Sequence, residues 1–250
     1  MHKFFAKTHF LGKKVLFLPQ CHSTNEIAMS LVNNGHAPEG ITIITADQTR
    51  GKGQRGNVWE SEAGKNLTFS FVIKPTFLAL SVQFDLHIVV SLAIYQALTP
   101  YLGHDLKIKW PNDIYYGKDK IGGILIENTV RGTAIENSIV GIGLNINQQH
   151  FQTIHANSMK NLCQRDLDID QIAEEILIRV EKNYLQLKTG NHRLKKQYEQ
   201  ALYQINQLHT YQDKAAVFTG TITGISESGK LIIESQNKTL EYNFKEVTFL

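Results

Sequence analysis

A glycine-rich loop that carries three cations lies between two apolar runs, and it restricts the possible folds of this chain more than any other segment. The loop Asp47–Trp59 holds three glycines and three cations within Arg50–Gly56. The flanking runs 41–46 and 67–73 predict strands. Glycines allow sharp turns, and successive backbone N–H groups in such a turn form a concavity that binds anions. The loop therefore predicts a cradle for a phosphate or a carboxylate.

The loop alone leaves its function open. Its spacing differs from the GxxxxGK[ST] of a P-loop, and although Gly51, Gly53 and Gly56 fit GxGxxG, no helix pattern follows. The alternative is a solvated hairpin loop whose cations keep the protein soluble. Other segments must decide between these two interpretations.

Composition and charge narrow the class of protein. A chain of 250 residues can bury a full core, and 42% hydrophobic with 20% charged residues is typical of a globular protein. A net charge of +3 is too small to indicate nucleic acid as the main partner. Cys21 and Cys163 form neither a disulfide framework nor a zinc-ligand spacing, which favours a reducing compartment.

The sequence shows no secretory or membrane segment. Met1–Phe10 has no continuous apolar region of signal-peptide length, and no apolar run approaches the roughly 18 residues of a transmembrane helix. We therefore expect a cytoplasmic protein without a membrane partner.

Local patterns predict the order of helices and strands. Ser23-Thr-Asn-Glu26 fits a capping box that opens a helix through Asn33, and the apolar length of Phe84–Leu98 favours a buried helix. Helical spacing continues in Asp170–Leu187, and a further helix is predicted over His192–Leu202. Strands are predicted at 14–18, 41–46, 67–73, 106–110, 113–116, 122–127 and 138–145, whereas 148–161 has no clear period.

The character of the chain changes after Leu208. Short alternating strands at 215–225, 231–234 and 240–244 are separated by glycine and asparagine. This pattern predicts a small all-β barrel appended to the preceding body. We place the boundary between residues 1–206 and residues 207–250.

Three further segments combine turn residues with charged or amide side chains. Lys109-Trp-Pro-Asn-Asp113 ends a strand, Lys120-Ile-Gly-Gly puts a lysine before a glycine pair, and Gly141-Ile-Gly-Leu-Asn145 places glycines in an apolar strand. Glycine in a strand indicates that another group approaches closely, and lysine can act as a point charge on phosphate. Each segment also has a simpler interpretation: a strand-ending turn, a hairpin lysine in water, and a β-bulge with turn-forming asparagines.

The order and content of these segments together resemble those of the biotin–protein ligase family. The chain presents Ser23-Thr24-Asn25, then Gln48–Trp59, then Lys109–Asp113, Lys120–Glu127 and Gly141–Asn145. The resemblance covers most of residues 15–147 and extends more loosely over the C-terminal tail.

The resemblance implies an α+β fold, in which a mixed sheet with flanking helices, of the class II aminoacyl-tRNA synthetase type, precedes an SH3-like β-barrel. Residues 1–206 would form the catalytic, biotin- and ATP-binding domain, and residues 207–250 the barrel. Some family members carry an N-terminal winged helix that binds DNA. Because the catalytic pattern begins by about residue 15, we expect the short form, which has no DNA partner.

The resemblance also implies a two-step ligase. Members join biotin and ATP into biotinyl-5′-AMP, release pyrophosphate, and pass biotin to one lysine of a biotin carboxyl carrier protein domain in a biotin-dependent carboxylase. ATP enters with Mg as a substrate complex, biotin is a substrate, and no tightly bound prosthetic group is expected. Members occur as monomers and as homodimers, so both states stay open.

The matching motifs imply roles for individual residues. The implied biotin-binding set is Ser23, Thr24, Asn25, Gln48, Gly51, Lys52, Gly53, Gln54, Lys120 and Gly123. The implied ATP-binding set is Lys52, Arg55, Trp110, Asn112, Lys120 and Asn145, and Asp113 is a candidate ligand of Mg. The implied catalytic residues are Lys120, Lys52 and Arg55, because joining two anions requires fixed cations that offset their repulsion.

Two features complicate this transfer of roles. The family loop is often Gly-Arg-Gly-Arg-x-Gly, whereas the arginine positions are here Lys52 and Gln54, so one charge is kept and the other is lost. We expect Arg55 to compensate for Gln54 in holding the adenylate. Ser23 also has a competing role, since a capping serine uses its oxygen on its own helix.

Two alternative functions stay open at this point. A lipoate–protein ligase runs the same two-step chemistry on a related fold, although the segments Trp110–Asp113 and Lys120–Gly123 favour biotin. The second alternative is a catalytically silent module that binds biotin or adenylate. A nucleic-acid binder is disfavoured by the near-neutral charge.

Overall fold

The computed structural model describes residues 7–190 and 193–250, without the side chain of Arg55. The body of the protein contains the strands β1 Val15–Cys21, β2 Thr42–Gln48, β3 Leu67–Ile73, β4 Leu106–Lys109, β5 Asp113–Tyr116, β6 Asp119–Arg131 and β7 Ala134–Leu144. They form one sheet in the order β1-β2-β3-β7-β6-β5-β4, in which β1 and β2 are parallel and all other neighbours are antiparallel. The expected mixed sheet is therefore confirmed.

Helices cover both faces of this sheet. They are α1 Thr24–Asn33, α2 Phe84–Leu102, α3 Met159–Cys163, α4 Ile169–Lys188 and α5 Arg193–Gln200. Ala28 of α1 packs with Ile43 and Val72 on one face, whereas α2, packed in turn against α4, covers the other. Because both faces are covered, all seven residues of β3 are buried.

The predicted buried helix is present as α2 and is longer than expected. By length and composition the segment Leu80–Asp105 could cross a membrane, which corrects the expectation that no segment approaches that length. However, 67% of its apolar window is buried inside the protein. A helix enclosed between a sheet and a second helix is apolar on all sides, so its position in the core accounts for its composition.

The C-terminal residues form a second sheet, which is antiparallel. Its strands are β8 Leu208–Gln212, β9 Val217–Ile225, β10 Leu231–Ser235, β11 Lys238–Tyr242 and β12 Thr248–Phe249, in the order β11-β10-β9-β8-β12. Among the strands that the structure describes, this sheet does not close, so the expected barrel is not confirmed. Tyr211, Leu231 and Ile233 share one hydrophobic core with the body.

The bounds of several elements differ from the predictions. β6 begins at Asp119 and not at 122, which places Lys120 inside a strand. The cause is a neighbouring segment, because Lys120 N donates to His155 O at 2.7 Å and Asn157 N donates to Lys120 O at 3.0 Å. The stretch 148–161 was expected to be irregular, but it contains the start of α3. The expected helix start, His192, lies outside the described residues, and the described helix is α5, Arg193–Gln200.

Candidate active site

A cavity of about 250 Å³ lies where the end of β2, the start of α1 and the paired strands β6 and β7 meet. The cradle loop, residues 50–59, runs along its side. Most of the residues singled out in the sequence line this cavity: Ser23, Thr24, Asn25, Gln48, Lys52, Gly53, Gln54, Asn112, Asp113, Lys120 and Gly123. Segments that are distant in the sequence thus meet at one site.

Five residues form a continuous hydrogen-bonded chain, and we call them the polar wall: Gln48, Thr24, Ser70, Asn25 and Glu127. Gln48, Thr24 and Asn25 line the cavity, whereas Ser70 and Glu127 hydrogen-bond to them without lining it. Gln48 Oε1 accepts from Thr24 N at 2.8 Å. Ser70 Oγ lies 2.6 Å from Thr24 Oγ1 and donates to Asn25 Oδ1 at 2.6 Å. Asn25 Nδ2 donates to Glu127 Oε2 at 2.7 Å. The wall is thereby oriented without a ligand.

Two members of the polar wall, Ser70 and Glu127, were not singled out in the sequence. Ser70 is fully buried in β3, between apolar neighbours. A hydroxyl inside an apolar strand is a signal that could have identified it, because buried polar groups need hydrogen-bond partners. Glu127 carries no comparable signal, since the strand that contains it is only partly buried.

Ser23 precedes α1 at the N-cap position but does not use its hydroxyl as a cap. Its carbonyl accepts from Ile27 N at 3.1 Å, whereas its side chain makes no capping hydrogen bond with the described residues of α1. The side chain is buried and lines the cavity. Of its two competing roles, capping is therefore absent here.

An ion pair between Lys120 and Asp113 lines the cavity. Lys120 Nζ is 2.7 Å from Asp113 Oδ1, and the side chains are 33% and 22% exposed. Asp113 pairs with Gly123 across β5 and β6, and a β-carbon at Gly123 would lie 3.5 Å from both Asp113 Oδ1 and Lys120 Cε. The tighter neighbour is the Trp59 ring, whose Cζ3 would lie 3.3 Å from that β-carbon, so glycine at this position leaves room for the indole. Of the described residues that line the cavity, Asp113 alone is acidic.

The glycines of β7 leave room for two side chains of the site. A β-carbon at Gly143 would lie 2.5 Å from the indole of Trp59, and one at Gly141 would lie 2.2 Å from Asn25 Oδ1. The close approach predicted at these glycines is confirmed, and their pairing with β6 has no bulge. Trp59, which the sequence analysis did not assign, also has a buried Nε1 without a partner among the described residues.

The cradle loop is tied to α1 by an ion pair. Lys52 Nζ lies 2.5 Å from Glu26 Oε1, and the side chains are 49% and 44% exposed. The hydrogen bond from Lys52 holds the pKa of Glu26 below its usual value, and the same bond raises the pKa of Lys52. Lys52 therefore lies at the rim of the cavity and is engaged with α1.

Trp110 and Asn145, which the resemblance assigned to ATP, do not line this cavity, and their role towards ATP stays a prediction. Trp110 is buried, its Nε1 donates to Gly229 O at 2.9 Å, and its ring meets that of Phe244 edge-on at 5.2 Å. Asn145 Nδ2 donates to Asn157 O at 3.0 Å. Trp110 thus joins the body to the C-terminal sheet, and Asn145 fastens the segment that borders Lys120.

Of three other residues with an implied role, Asn112, Gly51 and Arg55, only Asn112 is seen to line the cavity. Asn112 lines the cavity, but its Nδ2 donates to Ile124 O at 2.8 Å, so that amide is already used. Gly51 does not line the cavity, and a β-carbon there would lie 2.6 Å from Trp59 O. The side chain of Arg55 lies outside the described part of the chain.

The C-terminal sheet also contributes to the cavity, which the sequence analysis did not predict. Phe244 and Lys245, from the turn between β11 and β12, line it together with residues of the body. The apolar part of the lining includes Phe69, Leu125 and Ile142. The site is therefore assembled from both sheets.

Comparison with known proteins agrees with this architecture. The family model described as "Biotin/lipoate A/B protein ligase family" matches residues 17–145. The bifunctional ligase/repressor BirA of Bacillus spizizenii is 30% identical over 241 residues, which cover 94% of this chain and 73% of the relative. The biotin–[acetyl-CoA-carboxylase] ligase of Paracoccus denitrificans is 35% identical over 131 residues, or 52% of this chain and 53% of that protein.

A solved structure shares the fold. The biotin protein ligase from Aquifex aeolicus in complex with biotin and ATP aligns with a TM-score of 0.79 at 24% identity, covering 94% of this chain and 98% of that one. The mixed sheet, with its cavity beside the cradle loop, is thus the architecture of a protein ligase. This chain belongs to the biotin/lipoate A/B protein ligase family.

Proposed function

We propose that this protein activates biotin with ATP to biotinyl-5′-AMP, releasing pyrophosphate, and then transfers biotin to a lysine of a biotin carboxyl carrier protein domain. The observation that carries this proposal is one cavity that joins the polar wall to the Lys120–Asp113 ion pair. A relative named as a biotin ligase, at 35% identity, supports the same reaction.

The polar wall suits the bicyclic end of biotin. A ureido group presents two N–H donors and one carbonyl acceptor on a rigid ring, so it requires fixed partners of both kinds. The hydroxyls and amides of the wall are already held in one orientation by their mutual hydrogen bonds. Phe69, Leu125 and Ile142 supply apolar surface for the rest of the molecule.

In the first step, a carboxylate oxygen of biotin attacks the α-phosphorus of ATP, and the bond to pyrophosphate breaks. Both reactants are anions, so a fixed cation lowers the barrier. Lys120 supplies this charge. Its backbone is held by His155 and Asn157, and Asp113 holds its ammonium group in place.

In the second step, the neutral amine of the carrier lysine attacks the acyl carbon of the adenylate, and AMP leaves. The amine must lose a proton, which passes to the carboxylate of Asp113 or to a phosphate oxygen of the leaving AMP. Asp113 is suited to this role because it lines the cavity beside Lys120. Neither step requires a covalent intermediate on the protein, so positioning and charge carry the catalysis.

Magnesium enters with ATP as a substrate complex. No group of three or more His, Cys, Asp and Glu side chains that could hold a metal occurs in the described part of the chain. Asp113 is a single carboxylate at the cavity, and one carboxylate together with substrate phosphates is a usual ligand set for magnesium. Asp113 would be the protein ligand, and the ion would offset the negative charge of the phosphates.

A lipoate ligase is the alternative within the family. The dithiolane ring of lipoate has no N–H or carbonyl group, so it could not form hydrogen bonds with the hydroxyl and amide groups of the polar wall. Sites built to bond a polar group discriminate strongly against analogues that lack it. The polar wall therefore favours biotin.

The test is pyrophosphate release and carrier labelling with ATP and either biotin or lipoate. Pyrophosphate release with biotin, followed by labelling of one carrier lysine, is the expected result. Pyrophosphate release with lipoate but not with biotin would mean that the protein is a lipoate ligase. Binding of biotin without any pyrophosphate would make the protein a silent binding module.

The proposal also covers the domain division, the carrier protein and the compartment. Residues 1–206 form the catalytic domain of the class II synthetase type, and residues 207–250 form an SH3-like barrel, which the antiparallel pairing of β8 to β12 supports. The carrier belongs to a biotin-dependent carboxylase, in line with the name of the Paracoccus relative. The protein works in the cytoplasm without DNA, a membrane or a tightly bound prosthetic group.

A further inference from the structure

The hydrogen bonds of the polar wall can run in only one direction at Asn25. Its Nδ2 lies 2.7 Å from Glu127 Oε2 and 3.4 Å from Leu125 O. A carboxylate and a peptide carbonyl only accept hydrogen bonds, so the nitrogen of the Asn25 amide must face them. The oxygen of the same amide therefore faces Ser70 Oγ, from which it accepts at 2.6 Å.

The direction at Asn25 determines where the two hydroxyl protons of the wall lie. Ser70 has a single hydroxyl proton, which is used in the bond to Asn25 Oδ1. Ser70 Oγ is also 2.6 Å from Thr24 Oγ1, a distance at which two oxygens need a proton between them. Only Thr24 can supply that proton. Thr24 is thus the donor to Ser70, and its oxygen offers only lone pairs to any further partner.

A second acceptor lies beside Thr24 at the cavity. Gln48 Oε1 accepts from Thr24 N at 2.8 Å and is 3.2 Å from Thr24 Oγ1. Because the hydroxyl proton of Thr24 points to Ser70, this longer contact joins two acceptor oxygens. Both residues line the cavity. The two oxygens together are suited to receive an N–H group of a ligand.

We propose that Glu127 fixes the direction of this chain, and that it thereby makes Thr24 accept an N–H of the ureido group of biotin. Glu127 does not line the cavity but lies beyond Asn25, in a second groove that runs along α1. It acts on the ligand only through other side chains, so it is a positioning residue that determines specificity. The inference rests on the proposed function.

A donor at position 127 would reverse the chain. The amide of Asn25 would turn its oxygen towards position 127 and its nitrogen towards Ser70, since the two ends of an amide are nearly equal in size. Ser70 would then donate to Thr24, and Thr24 would donate into the cavity, where biotin also presents a donor. The fold should persist, because Glu127 is half-buried on β6.

The first test compares Glu127→Lys with Glu136→Lys. Glu136 lies on the neighbouring strand β7, pairs with Arg131 and does not line the cavity, so its substitution makes the same change of charge away from the wall. Pyrophosphate release gives KM for each substrate. We expect a roughly tenfold or larger rise in KM for biotin in Glu127→Lys, from the loss of a buried hydrogen bond, with KM for ATP little changed. Equal KM for biotin in the two variants would overturn the proposal.

A biotin analogue separates the direction of the chain from a general weakening of the pocket. In a cyclic carbamate analogue, a ring oxygen replaces one ureido N–H, so an acceptor stands where biotin has a donor. Calorimetric binding of biotin and of both carbamate isomers is compared in wild type and Glu127→Lys. Wild type should prefer biotin to one isomer roughly tenfold or more, and the variant should lose most of that preference. The same preference in both proteins would contradict the assigned direction.

A swap of the two side-chain types provides a rescue. Asn25→Asp alone places two carboxylates in the 2.7 Å contact and should weaken biotin binding strongly. Adding Glu127→Gln restores the net charge and supplies an amide N–H from position 127, while the carboxylate at position 25 still turns an oxygen towards Ser70.

The double variant should bind biotin roughly tenfold or more tightly than Asn25→Asp. Glu127→Gln alone should stay near wild type, because its carbonyl oxygen can accept from Asn25. Equal affinities in the double variant and Asn25→Asp would show that the direction of the chain does not control binding. If wild-type protein binds no biotin, the proposed function itself fails, which is a different result.

Discussion

The ammonium group of Lys120 lies 2.7 Å from the carboxylate of Asp113, and neither side chain is more than one-third exposed. The partner fixes the position of the cation before any substrate arrives. A charge that is already in place does not have to reorganise during the reaction. Its contribution should therefore appear in the rate of adenylation.

Lys120→Ala should slow adenylation roughly 10²-fold or more, because removal of one preorganised donor has an effect of that order. The fold should persist, since the backbone bonds to His155 and Asn157 do not involve the side chain. Pyrophosphate release at saturating biotin and ATP measures the rate, with thermal unfolding in parallel. Lys118→Ala, at an exposed position of the same hairpin, is the matched control. Near-normal turnover in Lys120→Ala would remove this lysine from the reaction.

Gln54→Arg should slow the release of biotinyl-adenylate. Gln54 lines the cavity, and one charge-assisted hydrogen bond contributes about 1.5–3 kcal/mol, so a roughly tenfold or larger slowing is expected. Arg55→Ala should release the adenylate faster if Arg55 compensates for the neutral Gln54. The test is to measure the dissociation rate of preformed biotinyl-adenylate from wild type and from each variant. Identical rates in wild type and both variants would show that neither side chain contacts the phosphate.

Ligand binding should order the cradle loop. Its residues 50–57 carry glycines and like charges, and in the ligand-free protein the ion pair of Lys52 with Glu26 restrains them. Amide exchange across the loop should slow when biotin and ATP are added. Glu26→Gln should speed this exchange without ligand and leave the liganded state unchanged, because the anion then replaces Glu26 as the partner of Lys52. Amide exchange rates in the loop that change neither with the ligands nor with Glu26→Gln would contradict this account.

Acid should destabilise the fold through His87. Burial lowers the pKa of this imidazole, which stacks on Phe84 at 5.3 Å, from 6.5 to about 4. Because the unfolded chain takes up the proton near pH 6.5 and the folded protein does not until about pH 4, stability falls as the pH drops through that interval. The loss at its lower end is roughly 3 kcal/mol.

Denaturant unfolding between pH 7 and pH 4 tests the role of His87. His87→Phe keeps an aromatic ring on Phe84 and should make stability less dependent on pH across this range. His36→Gln, at an exposed position, should behave as wild type. If the three proteins lose stability equally, His87 is not the group that titrates.

The sequence was sufficient for the features that depend on local chemistry. Gly123, Gly141 and Gly143 sit in apolar strands, and each proved to mark a close approach by a side chain of the site. The side chains that join distant strands were not predictable in this way. Ser70 belongs to the polar wall only because β3 lies beside α1, and Lys245 reaches the cavity only because the second sheet docks on the first.

The orientation of Trp110 was also accessible from the sequence. Side chains alternate between the faces of a strand, and Trp110 follows β4 on the same face as Leu106 and Ile108, both of which are buried. That alternation, read from the sequence, points the indole into the core. The family motif, from which Trp110 was assigned to ATP, does not contain this information, because a motif shows which residues occur together and not which way each side chain faces.

The polar wall limits how this pocket can change. Its members come from α1, β2, β3 and β6, and each depends on another for a hydrogen bond. Replacing one of them to admit a different ring would leave buried polar atoms of its neighbours without partners and would destabilise the protein. An engineer who wishes to retarget the enzyme to a biotin analogue must therefore substitute several wall residues together. The same dependence hinders a gradual drift in substrate preference, since the intermediate sequences would fold poorly.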